Sequence, residues 1–524
     1  MLDNLVIVAY FLVVFGIGIY HSRRQRTTSE YFLAGHSIGW FAVGASLFST
    51  NISSEHFIGL AGSGASGGLA VGCYEWSASF CLFILGWLFV PYYLKSKVFT
   101  MPEFLERRFN PQCRWYLTIV SILAYIFTKI SVHLFAGAIL MRSVLGWDYL
   151  TTSILLVIAT GIYTITGGLK AVIYTDLFQS FVLITGAVVL TLMGLVQVGG
   201  FHGLRANLPP DFFHMIKPAS DPVYPWVGTI FGTMILGIWY WCTDQSIVQK
   251  TLSAKDLENA RKGSFFCAAL KILPVFILVL PGLIAKALYP NVVNGDNAYP
   301  TLVLRLLPKG LVGLMVAALL AALMSAMSSV LNSCSTLITM DIFRKTHPHA
   351  SESRLVFVGR VATGVIVVIS ILWVPLIKYL SNEIYQYLQS VQAYIGAPIT
   401  ATFLVGALWK RATGRAAITT LITGGLLGAG RFVLDVMHDA FKVDLGALNA
   451  LVQFSFLNYS VIVFVFCVLL MYVVTVTEPR RSQAAEEQLT IGWGGNEARV
   501  FDRADLAWTG MVGCFIAGLW FHFR

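Results

Sequence analysis

Charge is what this chain has least of. Only 12% of its 524 residues are Asp, Glu, Lys or Arg, against 57% hydrophobic, and its mean hydropathy is +0.73. A water-soluble domain carries roughly 25% charged residues, so a solvent-facing surface of ordinary composition is excluded. Cysteine is sparse as well. The eight cysteines (73, 81, 113, 242, 267, 334, 467, 514) fall mostly inside apolar segments, and none pairs with another in an outer loop, so no disulfide framework is expected. No zinc-ligand spacing occurs, and no nucleophile–base pair stands in register, so neither an enzyme nor an organic cofactor is expected. No linker or low-complexity segment divides the chain, and no appended domain or long tail points to an obligatory protein partner.

What the chain has in quantity is long apolar runs. LVIVAYFLVVFGIGIY (5–20), FVLITGAVVLTLMGLVQV (181–198) and VIVFVFCVLLMYVVTV (461–476) have the length and purity of bilayer-spanning helices. Hydropathy windows predict about 14 spans, near 4–21, 38–62, 68–95, 114–143, 151–166, 174–199, 225–248, 262–288, 303–340, 357–379, 383–408, 415–434, 450–475 and 505–523. The expected class is an all-α, multi-pass membrane protein forming a single membrane domain over 1–524. The first run has no basic region before it, so it is read as a retained helix rather than a signal peptide.

A net charge of +10 could point to nucleic acid in a soluble protein, but here the basic residues sort by loop. HSRRQR (21–26), KSKVFTMPEFLERRF (95–109), QKTLSAKDLENARKG (249–263), FRKTHPH (343–349), WKRATGR (409–415) and EPRRS (478–482) are basic. GSGASGG (62–68), LYPNVVNGDNAYP (288–300) and LSNE (380–383) are not. Because basic loops stay cytoplasmic, both termini are expected outside and no nucleic-acid partner is expected. Short outer loops without cysteine pairs fit a plasma membrane of the bacterial inner type.

Two spans break the apolar pattern. STNISSEH (49–56) places Asn51, Ser53, Ser54, Glu55 and His56 inside a hydrophobic segment, and TIFGTMILGIWYWCTDQSIVQK (229–250) ends in Thr243, Asp244 and Gln245. They lie five spans apart, so they cross in opposite directions. Interrupted helices at matching places in oppositely oriented halves indicate an inverted-repeat transporter. Backbone freed by such a break is tolerated only where it lines a cavity or binds an ion.

The strings GASLFSTNISSEHFIGLAG (44–62), YEW (74–76), GWLFVPYYLKSKVFTMPEFLERRF (86–109), IFTKIS (126–131), GGLKAVIYTDLFQS (167–180), WYWCTDQSIVQKTLSAK (239–255) and LNSCSTLITMDIF (331–343) carry a resemblance. In their order and spacing the chain resembles the sodium/solute symporters, in particular their sodium/glucose cotransporter branch, along nearly its whole length. The resemblance implies one leading helix (4–21), a core of two inverted five-helix repeats (38–408) whose first and sixth helices are broken, and three trailing helices (415–523).

It also implies a hexose site. Asn51 and His56 correspond to partners of sugar hydroxyls, Glu75 to an acceptor from two hydroxyls, Lys271 to a donor that also balances Glu75, and Gln389 to an amide that does both. Tyr240 corresponds to the aromatic under the pyranose ring, flanked by Trp241 and Tyr74. The set suits a sugar on chemical grounds alone, since a ring of hydroxyls needs bifunctional polar groups and its apolar face needs an aromatic. Two positions depart from the family. Gly237 stands where Thr or Asn is usual, and Ala78 where a relative has Ser.

For the coupling ion, the resemblance implies sodium held by the carbonyls of Ser49, Ile52 and Ala322 and by the Ser325 hydroxyl. Ala326 replaces a second hydroxyl, leaving four protein oxygens for a hard cation that prefers an all-oxygen shell. Asp176 corresponds to an acid on the cytoplasmic ion path and is the candidate for protonation if protons replace sodium. The expected activity is import of a hexose of the glucose/galactose type by alternating access. The alternatives are proton-coupled or uncoupled sugar transport, myo-inositol symport, or a sugar sensor on the same scaffold.

Overall fold

A computed structural model describes residues 2–22, 27–291, 295–377, 384–439, 441–479, 490 and 502–524. Several segments on which the charge reading drew (23–26, 380–383 and 480–482) lie outside the described residues. Those described are helical almost throughout, with two isolated β-bridges in place of any sheet.

Large apolar side chains face outward, and several charged side chains lie inside. Val196 is 82% exposed and Leu372 72% exposed, while Asp176, Lys250, Lys271 and Asp341 are buried to 1% or less. That inversion is what a lipid solvent selects. Ten helices among the described residues are long and apolar enough to cross a bilayer, fewer than the spans expected. The difference has a physical source, because length alone does not recognise an interrupted or turned helix. Leu5–Tyr20 and Leu150–Ile162 are short apolar helices, His56–Ser96 runs on through a turn at Gly68 (φ 78°), and Tyr149–Val198 is split at Gly168 (φ 54°, ψ −172°).

Both expected breaks are present. The first helix of the core runs from Trp40 to Asn51 and stops where Ile52 turns extended (φ −79°, ψ 99°), and a second half resumes through His56–Leu60 into Ala61–Gly67. Ile52 N–H closes the last turn on the Phe48 carbonyl at 2.9 Å. The carbonyls of Ser49 and Ile52 therefore sit at a helix C-terminus, with no further turn to supply amides and with the negative end of the dipole behind them. In the second broken helix, Trp239–Thr243 gives way at Asp244 (φ −72°, ψ 129°) to Gln245–Leu252. Widened turns recur around these points, at His56–Leu60, Tyr125–Ile130 and Trp239–Thr243, as is common where helices carry functional groups.

Small residues let other helices close on the first break. A Cβ at Gly44 would stand 2.6 Å from the Gly263 carbonyl, and one at Gly59 2.8 Å from Tyr385 Cβ. Close approach through glycine is how helices pack without a hydrophobic drive between them. All eight cysteines are free, seven of them buried.

Candidate functional site

All eight side chains expected around the solute line one cavity. They come from five places in the chain. Asn51 and His56 flank the first break, and Tyr74 and Glu75 open the helix Cys73–Ile84. Tyr240 and Trp241 precede the second break, Lys271 ends the helix Leu257–Leu270, and Gln389 lies on Ile384–Leu408.

Lys271 organises one wall. Its ammonium donates to Asn51 Oδ1 at 2.5 Å and to Glu75 Oε2 in a direct ion pair, and lies 5.6 Å from the Trp241 ring centroid. Glu75 Oε1 lies 3.6 Å from His56 Nε2. Donor and acceptor thus alternate around the rim, where polar groups are held apart by their own pairing and remain able to exchange it for ligand hydroxyls. Tyr240 stacks edge to face on Trp241 at 5.2 Å and is only partly buried, which leaves ring surface open to the cavity. Tyr74 packs in the same way on Tyr385 at 5.7 Å.

The cavity also has lining residues that sequence reasoning missed: Glu55, Thr233, Tyr385 and Gln392. Glu55 was in view as part of the polar run but received no role. Gln392, one turn from Gln389, could have been found from helical spacing, since i and i+3 share a face. Tyr385, one turn before Gln389, shares that face by the same spacing, and the close approach allowed by Gly59 brings it to the first break. Gly237 and Ala78 line the cavity too. A Cβ at Gly237 would be 2.6 Å from Cys81 Sγ, so the cysteine takes up the room that a Thr or Asn side chain would need.

The first broken helix and the long helix Leu311–Thr336 are joined directly by Thr50 Oγ1 and Ser329 Oγ at 3.4 Å. Ser49, Ile52, Ala322, Ser325 and Ala326 are all buried. Ser49 Oγ has no hydrogen-bond partner, an orphan beside the expected carbonyl ligands that suits a cation or a water. The hydroxyl of Ser325 donates to Asp176 Oδ1, which leaves its lone pairs available.

Asp176 is not open to an ion path on its own. Lys250 Nζ pairs with Asp176 Oδ2 at 2.5 Å, and donates to Ser46 Oγ at 2.8 Å and to Thr50 Oγ1. A fully buried ammonium thus satisfies the acid that sequence reasoning offered for protonation. Lys250 was legible only as an ionisable residue near the end of an apolar segment.

Buried alternating polar groups around a cavity, set between two broken helices in an all-helical bundle, define a membrane solute carrier of the inverted-repeat class. The likeness to a solved structure agrees: a Na+-coupled sialic acid symporter superposes with a TM-score of 0.78 over 92% of this chain and 99% of that one, at 22% identity. The model of the "Sodium:solute symporter family" matches residues 31–424. The chain is 42% identical to human sodium/glucose cotransporter 4 over 93% of this chain and 77% of that protein. It is 41% identical to pig (Sus scrofa) sodium/myo-inositol cotransporter 2 over 84% and 71%. The chain belongs to the sodium:solute symporter family, and it is a multi-pass membrane transporter of a small solute rather than an enzyme.

Proposed function

We propose that this protein is a sodium-coupled importer of a hexose of the glucose/galactose type, working by alternating access. One observation carries the proposal: Asn51, His56, Glu75, Lys271 and Gln389 converge with Tyr240 and Trp241 on one cavity. Hydroxyls of the sugar replace the contacts that Asn51, Glu75 and Lys271 now make with one another, and the ring lies on Tyr240. Sodium binds beneath, on the carbonyls of Ser49, Ile52 and Ala322 and on Ser325, with water in the place left by Ala326. Cation and solute then share a single break, so each alters the equilibrium of the same hinge, and a ligand moves that equilibrium only by its differential affinity for the two states.

Residues 4–21 serve as a leading helix, 38–408 as the transport core and 415–523 as three trailing helices. Both termini lie outside a plasma membrane of the bacterial inner type. Myo-inositol is the second reading, supported by the relative that bears its name. The test is uptake of labelled glucose, galactose and myo-inositol into proteoliposomes under separate sodium and proton gradients. Sodium-driven hexose uptake is expected. Uptake driven by the proton gradient alone, or of inositol alone, overturns the corresponding half.

A further inference from the structure

The buried carboxylates near the breaks differ in their partners. Asp176 has Lys250 at 2.5 Å, Asp244 has Lys129 at 2.9 Å, Asp341 has Arg114 at 2.6 Å, and Glu75 has Lys271. Glu55 has no lysine or arginine among the described residues. The titratable groups beside it are two histidines: His133, whose Nδ1 lies against Glu55 Oε2, and His56, whose Nδ1 lies 3.8 Å from Oε1. Glu55 is 6% exposed and His133 3% exposed.

The groups around this pair can be named element by element. His56 follows Glu55 on the same half-helix and reaches Glu75, which is already held by Lys271. Tyr385 meets His56 edge to face at 5.9 Å. On the helix of His133, Lys129 is one turn away but is spent on Asp244 and Ser246. Asp296 lies against Gly62, nearly two turns beyond Glu55. With both imidazoles neutral, the cluster of Glu55, Glu75 and Lys271 carries one uncompensated negative charge. A carboxylate in so dry a place is neutralised by a cation or by a proton, and histidine is the residue that supplies a proton near neutral pH.

The location connects this charge to the cation. Glu55 comes three residues after Ile52, at the start of the second half-helix, whereas His133 sits on the continuous helix Ser131–Leu145. The contact therefore spans the hinge, and a positive ion at the break and a proton on the pair repel one another. We propose that Glu55 and His133 together hold one proton, which passes to bulk solvent when a cation binds at the break. Sodium binding is then pH-dependent although sodium drives transport. This rests on the sodium reading above.

The experiment adds sodium chloride, with choline chloride as control, to lightly buffered, detergent-purified protein. Binding is read by tryptophan fluorescence and proton release by a pH dye. Wild type is expected to release on the order of one proton per sodium bound. Its half-saturation should rise by up to about tenfold per pH unit of acidification, the limit for one competing proton. Glu55→Gln and His133→Asn, each eluting as wild type does, should bind sodium without proton release and with a half-saturation that does not change with pH. Sodium binding by wild type without proton release overturns this proposal and leaves the symport reading standing, as does full release by both variants. Absence of any sodium-specific signal overturns both.

Discussion

The two helix breaks look alike in sequence and do opposite things. At the first, Asn51, Glu55 and His56 face the cavity, and Ser49 Oγ and His56 Nδ1 have no hydrogen-bond partner. At the second, Thr243, Asp244, Gln245 and Ser246 are all engaged. Asp244 caps the following half-helix through Ser246 N–H at 2.9 Å and pairs with Lys129. Gln245 accepts from Met101 N–H at 2.9 Å and donates to the Phe99 carbonyl at 3.2 Å, and Thr243 donates to the Trp239 carbonyl at 2.7 Å. A ligand site needs groups left unsatisfied until the ligand arrives, whereas a hinge in a bilayer needs its groups satisfied throughout. On the proposed reading the first break is the one that binds, and the second is a braced joint. One helix braces both, since Lys129 reaches the second and His133 the first.

The largest effect is expected at the first break. Glu75→Ala removes an acceptor from the cavity and leaves Lys271 without its countercharge, so some stability is lost as at any broken buried pair; uptake per folded protein should fall to background, at least about a hundredfold, and uptake near wild type would erase the distinction between the breaks. Asn51→Ala and Gln389→Ala should follow the same pattern. At the second break the effect moves from binding to stability. Asp244→Asn leaves Lys129 buried without a countercharge and should lower stability by about 3–5 kcal/mol, read as earlier thermal unfolding in detergent. Gln245→Ala should cost less, about 1–3 kcal/mol, because it orphans one amide and one carbonyl. Unchanged sugar affinity in whatever folds would sharpen the contrast. The smallest expected change is a gain. Ala326→Ser restores a hydroxyl beside the cation ligands and should lower the sodium half-saturation by up to about tenfold, near 1.4 kcal/mol.

Much of this was legible beforehand because bilayer constraints are severe. Polar residues amid apolar runs can only be breaks, sites or helix glue, so STNISSEH and CTDQ announced themselves, and the resemblance assigned the eight cavity residues by position. The partners of the buried charges stayed hidden. Lys129 and His133 occupy neighbouring turns of an apolar helix, and Lys250 ends an amphipathic one, and nothing in their spacing says whom they face. Asp176 shows the consequence most clearly. Read alone it is an acid free to titrate; in the folded chain it is held by Lys250, Ser46 and Ser325.

The sequence by itself determined the class of protein and the two interruptions, and the resemblance named eight of the residues that line the cavity. Hydropathy and polarity act locally along the chain, and a lipid solvent permits few answers to them. Only the tertiary structure decided which buried charges neutralise one another, because each pair is made across helices separated by tens to hundreds of residues. That pairing, complete at Asp244 and left to two histidines at Glu55, is what sets the two breaks apart.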